Sequence, residues 1–263
     1  MDREYWQRQN VDNPLFSDIE WSKPEQKSKA GKLLIAGGTI HGFSAVVKSY
    51  SAALEAGAGE VKVAVPDGLK KNLPPDFQNG IFLPTNHSGA LSKKGEAEII
   101  SAGKWADGIL LVGDSGQNSE TGILYDKLLN SNETWITITR DAVELLYTSA
   151  EKLANRKNTN LVMSFPQVQK LFSKVYYPKV LTFSMQFVGF IEALHKFTIT
   201  YPVTLTVLFN EKIIVAHDGE VVSQDFNNQM LLINGQLAAK TATYLLWNPK
   251  KPLQSIATSW QDA

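Results

Sequence analysis

The stretch from Gly31 to Pro66, GKLLIAGGTIHGFSAVVKSYSAALEAGAGEVKVAVP, leaves little choice of fold. Leu33-Leu34-Ile35 is a continuous apolar run of the kind found in a strand covered on both faces, and Gly37-Gly38 interrupts it. A loop through Thr39, Ile40, His41 and Gly42 follows. From Ser44, a suitable N-cap, Ala, Val, Tyr and Leu recur at helical spacing to Ala56, and Gly57-Ala58-Gly59 ends the helix. Val61, Val63 and Val65 make a second strand. Strand, crossover helix and strand form a right-handed parallel unit, and a Gly-rich loop at a helix N-terminus offers N–H groups to anions. The unit therefore suggests a phosphate or nucleotide site.

The rest of the chain repeats this alternation. Pro66-Asp67-Gly68 and Leu73-Pro74-Pro75 mark loops before a short strand over Gly80 to Leu83. Helical spacing covers Lys93 to Ala102, Glu120 to Asn130 and a segment starting at Asp141, for which that carboxylate is the simplest N-cap. Strands are predicted over Ile109 to Val112, Trp135 to Thr139 and Asn160 to Phe165. The first of these breaks into Gly113-Asp114-Ser115-Gly116, at the strand end where open α/β sheets bind ligands. Phe183 to Phe197 reads as a buried helix, because Glu192, His195 and Lys196 interrupt it. Val203 to Phe209, Lys212 to Ala216 and Glu220 to Ser223 read as strands, with a hairpin turn at Asp218-Gly219. Met230 to Ile233 leads through Asn234-Gly235-Gln236 into a helix over Leu237 to Leu246. The pattern predicts a three-layer αβα sandwich with a mostly parallel sheet and an antiparallel hairpin near the C-terminus. Residues 1–30 read as an arm and residues 31–263 as one domain. The arm's Trp6, Leu15, Phe16, Ile19 and Trp21 dock on this domain or on a neighbouring subunit, which leaves a homo-oligomer open.

Composition excludes several functions. The 26 basic and 26 acidic residues cancel, so no overall basic field attracts nucleic acid or an anionic membrane. With no cysteine there is no disulfide, zinc–thiolate site or thiol nucleophile, in keeping with a cytoplasmic protein. His41, His87, His195 and His217 show no metal-ligand spacing, so no metal ligand is assigned. The N-terminus lacks an apolar core, and no segment approaches about 18 uninterrupted apolar residues, so neither membrane nor export signal is expected. Gly37, Gly38 and Gly42 miss the dinucleotide-binding spacing, and neither a P-loop nor a nucleophile elbow occurs.

From Gly31 onward the chain resembles the ribokinase-like family of ADP- or ATP-dependent NAD(P)H-hydrate dehydratases. KLLIAGGTIHGFSA followed by AALEAGAGEVKVAVP resembles the family's opening segment, with Ala45 at an alanine that lines the hydrate site. ADGILLVGDSGQNSET resembles the segment bearing a Gly-Pro-Gly-Leu-Gly loop, of which Gly116 is retained. TITRDAVELL resembles the Asp-Ala-Asp-Ala-Leu segment, with Asp141 kept and Thr139 replacing the first Asp. The Thr-Pro-His-Pro-Gly-Glu segment corresponds to Met163 through Val168, so Phe165 stands at the substrate-site His and Val168 at the Glu. Phe209-Asn210 stands at the nucleotide-contacting Lys-Gly. Ile233-Asn234-Gly235-Gln236 stands at the Gly-Ser-Gly-Asp motif, with Gln236 at the catalytic Asp.

The resemblance implies a ribokinase-like fold and a reaction in which ADP or ATP, with Mg²⁺, phosphorylates the hydroxyl of hydrated NAD(P)H before phosphate leaves. It places Gln236 and Gly235 at the catalytic position and Ala45, Gly116, Phe165 and His41 at the substrate. Asn234, Gly235, Phe209 and Asn210 then meet the nucleotide. A glutamine can orient a hydroxyl but cannot take its proton, and losing a general base typically costs about 10²- to 10⁴-fold. Asp114 and Asp141 are the candidates to replace it. Two other readings stand beside this one: a catalytically silent relative that binds nucleotide or dinucleotide, and a small-molecule kinase of the same fold. Simple structural roles are also open: His41 as a solvated loop residue, Phe165 as packing, Gly116 and Gly235 as turn glycines, and Gln236 as a polar helix start.

Overall fold

The computed structural model describes residues 4–71, residue 77 and residues 80–261. Along the chain run β1 (Trp6–Arg8), α1 (Ser17–Glu20), β2 (Lys32–Gly37), α2 (Ser44–Ala56), β3 (Glu60–Pro66), β4 (Ile81–Leu83) and α3 (Glu96–Trp105). They are followed by β5 (Gly108–Gly113), α4 (Ser119–Asn130), β6 (Trp135–Thr139), α5 (Asp141–Leu145), α6 (Ala150–Asn155), β7 (Thr159–Ser164) and α7 (Phe165–Lys174). The chain then forms α8 (Phe187–Thr200), β8 (Thr204–Phe209), β9 (Lys212–His217), β10 (Glu220–Asp225), α9 (Gln229–Ile233), α10 (Gln236–Trp247) and α11 (Pro252–Thr258). The loop expected at Leu73-Pro74-Pro75 lies outside the described residues.

The strands make one ten-stranded sheet in the order β1-β10-β9-β8-β7-β6-β5-β2-β3-β4. From β8 through β4 every pairing is parallel, whereas β9 runs antiparallel to both neighbours. Strand order reverses between β2 and β5, and a crevice at their carboxyl ends is where such sheets place ligands.

The continuous apolar runs are explained by burial on both faces. Leu33 and Ile35 of β2 and Leu110 and Val112 of β5 point into the core beneath α2, α10 and α11. Leu34, Ala36, Ile109 and Leu111 point into the other core, beneath α3 to α8. Each large apolar side chain fully removed from water contributes about 1.5–3 kcal/mol, so neither face tolerates alternation with polar residues.

The arm docks in cis only in part, for Trp21 and Leu15 are exposed. β1 adds itself parallel to β10, Trp6 Nε1 donates to Ser223 Oγ at 2.9 Å, Tyr5 stacks on His195 at 3.7 Å, and Ile19 is buried. Two expected caps are corrected. Phe43 occupies the cap position of α2, with Ser44 as the first helical residue. Arg140 occupies the cap position of α5 in a left-handed conformation (φ 59°), while the carboxylate of Asp141 turns away from its own helix. The helix expected over 183–197 starts at Phe187, and α6 and α11 were not signalled by apolar spacing.

Candidate functional site

The two Gly-rich loops meet at the strand-order reversal, where several of their amides are already taken. In the first loop the N–H groups of Gly38, Thr39, Ile40 and Gly42 donate to the carbonyls of Gly113, Gly42, Gly89 and Thr39 at 2.8–3.1 Å. The Ala45 N–H, in the first turn of α2, donates to Asp114 Oδ2 at 2.9 Å. In the second loop the Ser115 and Gly116 amides both donate to Asp141 Oδ2 at 2.8 Å. Gly113 is required here: its φ is +86°, and an added Cβ would lie 2.2 Å from Asp141 Oδ1. These seven donors, which the sequence offered to an anionic ligand, are therefore capped by the chain's own oxygen atoms. His41 is exposed on the first loop and Gly116 on the second, while Ala45 is buried.

Asp114 and Asp141 differ in what holds them. The Asp114 Oδ1 atom pairs with the Arg140 guanidinium, so this carboxylate has a cation and a helix amide as partners. Burial raises the Asp141 carboxyl above its ordinary range, opposed by the hydrogen bonds from Ser115 and Gly116. Its Oδ1 is buried without a hydrogen-bond partner, as is Arg140 Nε.

A cavity of about 460 Å³ opens at the carboxyl ends of β6 and β7 beneath α9. Arg140, Asp141, Glu144, Ser164, Gln167 and Lys170 supply its polar lining, and Val162, Leu232 and Ile233 part of its apolar lining. Gln167 braces this wall by donating from Nε2 to the Arg140 carbonyl (2.8 Å) and accepting from the Ser164 N–H (3.0 Å). Lys170 reaches Glu144 at 3.4 Å, both side chains being largely exposed. Among the described residues no group of three or more His, Cys, Asp or Glu is placed to hold a metal.

The start of α10 is built differently from the loops. Gly235 has φ +82°, and a Cβ there would lie 2.6 Å from Val112 Cγ2, so glycine lets the helix start settle on β5. Asn234 clamps Gln236 from both sides, accepting from its backbone N–H at 3.1 Å and donating to Oε1 at 2.7 Å. The first-turn amides of Leu237 and Ala238 have no acceptor among the described residues.

The expected site residues fall into separate groups. Gly235, Asn234 and Gln236 come together at the start of α10, whereas Ala45 and Gly116 are both tied to the second loop's carboxylate network. Phe165 and Phe209 meet each other instead, stacked at 4.6 Å and packed with Phe190 of α8. Both are about 95% buried, and Asn210 is exposed in the β8–β9 turn. The sequence reading missed Arg140, Glu144 and Lys170.

No family model matches the chain, and no curated protein matches it. Solved structures do. A ribokinase-like superfamily protein from Enterococcus faecalis V583 superposes with a TM-score of 0.74 at 14% identity, over 99% of this chain and 87% of that one. A hypothetical protein from Streptococcus mutans gives 0.71 at 16% identity, covering 92% and 84%. An ADP/ATP-dependent NAD(P)H-hydrate dehydratase from Bacillus subtilis, co-crystallised with ATP/Mg²⁺, gives 0.65 at 12% identity, covering 94% and 85%. The chain thus has a ribokinase-like α/β fold, and at these identities the likeness is one of fold.

Proposed function

We propose that this protein is a nucleotide-dependent enzyme that phosphorylates a substrate hydroxyl, acting as an ADP/ATP-dependent NAD(P)H-hydrate dehydratase. The observation that carries the reading is the cavity at the ligand edge of the sheet, where Arg140, Lys170 and Ser164 stand beside Asp141 and Glu144. The fold likeness to a dehydratase co-crystallised with ATP/Mg²⁺ supports the choice of reaction.

In this reading the hydroxyl oxygen of the hydrate attacks the terminal phosphorus of the nucleotide, and the shortened nucleotide leaves. The substrate's C–O bond then breaks, its electron pair leaving with phosphate, while loss of a neighbouring proton forms the C=C bond and restores the dihydronicotinamide. The free amides of Leu237 and Ala238 hold the transferred phosphoryl group, since helix N-termini favour oxyanions. Gln236, positioned by Asn234, orients the hydroxyl. Asp141 takes the proton: it lines the cavity, and burial raises its proton affinity. Two carboxylates in one cavity fit Mg²⁺, which takes most of its ligands from phosphate and water. Glu144 would hold it, and the ion would neutralise charge on the phosphate oxygens. Phe165 and Phe209 are assigned to packing, and His41 to a solvated loop.

The test is turnover of enzymatically prepared NADPH hydrate with ADP or ATP and Mg²⁺, followed at the dihydronicotinamide absorbance. Wild type restores NADPH, Asp141→Asn loses about 10²-fold or more, and Gln236→Asp gains by a similar factor. Absence of turnover in both wild type and Gln236→Asp would end this assignment.

A further inference from the structure

Arg140 is the least satisfied cation in the described site. Its guanidinium has one partner, Asp114, while Nε is buried and lacks an acceptor. Its backbone is nevertheless fixed, because the Arg140 carbonyl accepts from Gln167 Nε2 and from the Val143 N–H. It also has φ 59°, a conformation that costs a non-glycine residue on the order of 1–3 kcal/mol. A strained backbone thus holds a half-used guanidinium at the lining of the cavity.

Asp114 shows the complementary arrangement. It too has a left-handed backbone (φ 53°), and its carboxylate lies between the guanidinium and the Ala45 amide. Of the other charged groups lining the cavity, Asp141 also attracts Arg140 electrostatically, and its Oδ1 has no hydrogen-bond partner. Asp141 is tied to the second loop, and Glu144 stands beside Lys170.

We propose that Arg140 is the residue that recognises a phosphoryl oxyanion in this cavity, and that Asp114 is its resting counter-ion, exchanged for the ligand when it arrives. This rests on reading the cavity as the phosphate-bearing part of the site. Nη1 has no partner among the described residues, and once Asp114 leaves Nη2 the two Nη groups offer the planar two-point contact that phosphate oxygens fit, which a lysine does not provide. The Asp114 carboxylate keeps its hydrogen bond from Ala45 after the exchange, so it is not left bare. Because the counter-ion competes with the ligand, apparent affinity is lowered by the fraction of molecules in the paired state.

The oxyanion belongs either to the nucleotide or to the phosphorylated substrate and its released phosphate. Calorimetric titration of inorganic phosphate, pyrophosphate, ADP and ATP–Mg²⁺ into wild type, Arg140→Ala, Arg140→Lys and Asp114→Asn tests the exchange. Arg140→Ala weakens oxyanion binding by about 10-fold or more, Arg140→Lys restores part of it, and Asp114→Asn tightens it by about 10-fold. Competition between phosphate and nucleotide assigns Arg140 to the nucleotide; simultaneous binding assigns it to the other substrate. Either outcome supports the proposal. Equal affinities in wild type and Arg140→Ala, or no gain in Asp114→Asn, overturn it. If Arg140→Ala does not fold, the lysine and asparagine variants still decide. Arg140-dependent binding without hydrate turnover would sink the proposed reaction and leave this inference standing, and turnover indifferent to Arg140 would do the reverse.

Discussion

Two arginines at opposite edges of the same sheet show how one side chain type serves structure and ligand binding. Arg156, just before β7, donates from Nε to the Leu129 carbonyl and from Nη1 to Lys157, Asn158 and Thr159. Its Nη2 donates to Asn132 and Thr134, so every nitrogen is used. Burial lowers its pKa to about 10, which still leaves it charged at neutral pH. Arg140, just after β6, has one carboxylate and an idle Nε. A saturated guanidinium locks three chain segments together, whereas a half-saturated one beside a cavity keeps donors for something else.

Breaking each arginine should separate these roles. Arg156→Met strands the carbonyls of Leu129, Asn132 and Thr134, which have no other donor among the described residues, and is expected to cost about 3 kcal/mol in chemical denaturation. Phe165→His, which restores the residue of the resembling motif, puts an imidazole between Phe209 and Phe190 and should cost about 2–3 kcal/mol without raising turnover. A stable variant with improved turnover would show that the end of β7 faces substrate after all.

Arg140→Gly should change stability by no more than about 1 kcal/mol, because losing the ion pair is offset by relief of the left-handed backbone. A loss as large as that of Arg156→Met would erase the distinction between the two edges. The smallest effect belongs to His217, at the same edge as Arg156, whose Nδ1 lies 2.7 Å from Thr204 Oγ1. Burial holds its pKa below the ordinary 6.5, so the unfolded chain binds the extra proton first. Its contribution is therefore full above about pH 6.5 and lost as pH falls below it, and His217→Gln should flatten that slope in pH-dependent melts.

The fold was legible because its signals are local. The apolar runs at 33–35 and 109–112, the turn at Asp218-Gly219 and the hairpin strands each act within a few residues. Asn234 was legible for the same reason: its role at the helix start involves a position two residues on. The carboxylates were not. Asp141 was read as the cap of its own helix, but it serves amides 25 and 26 positions earlier in the chain. Asp114 caps α2 from 69 positions away. Short arm strand β1 was equally hidden, since three residues acquire strand geometry only by pairing with β10.

The amino-acid sequence by itself determined the alternation of strand and helix, the burial of the sheet on both faces and the positions of the glycines. Those follow from periodicity and backbone sterics, which need no partner. Only the tertiary structure decided that many of the Gly-loop amides are occupied by the chain's own oxygens, that Phe165 and Phe209 pack against each other, and that Arg140 is left half-paired beside a cavity. These depend on the register that brings the ends of β2, β5 and β6 side by side, and hydrogen bonds across strands are set by that register rather than by distance along the chain.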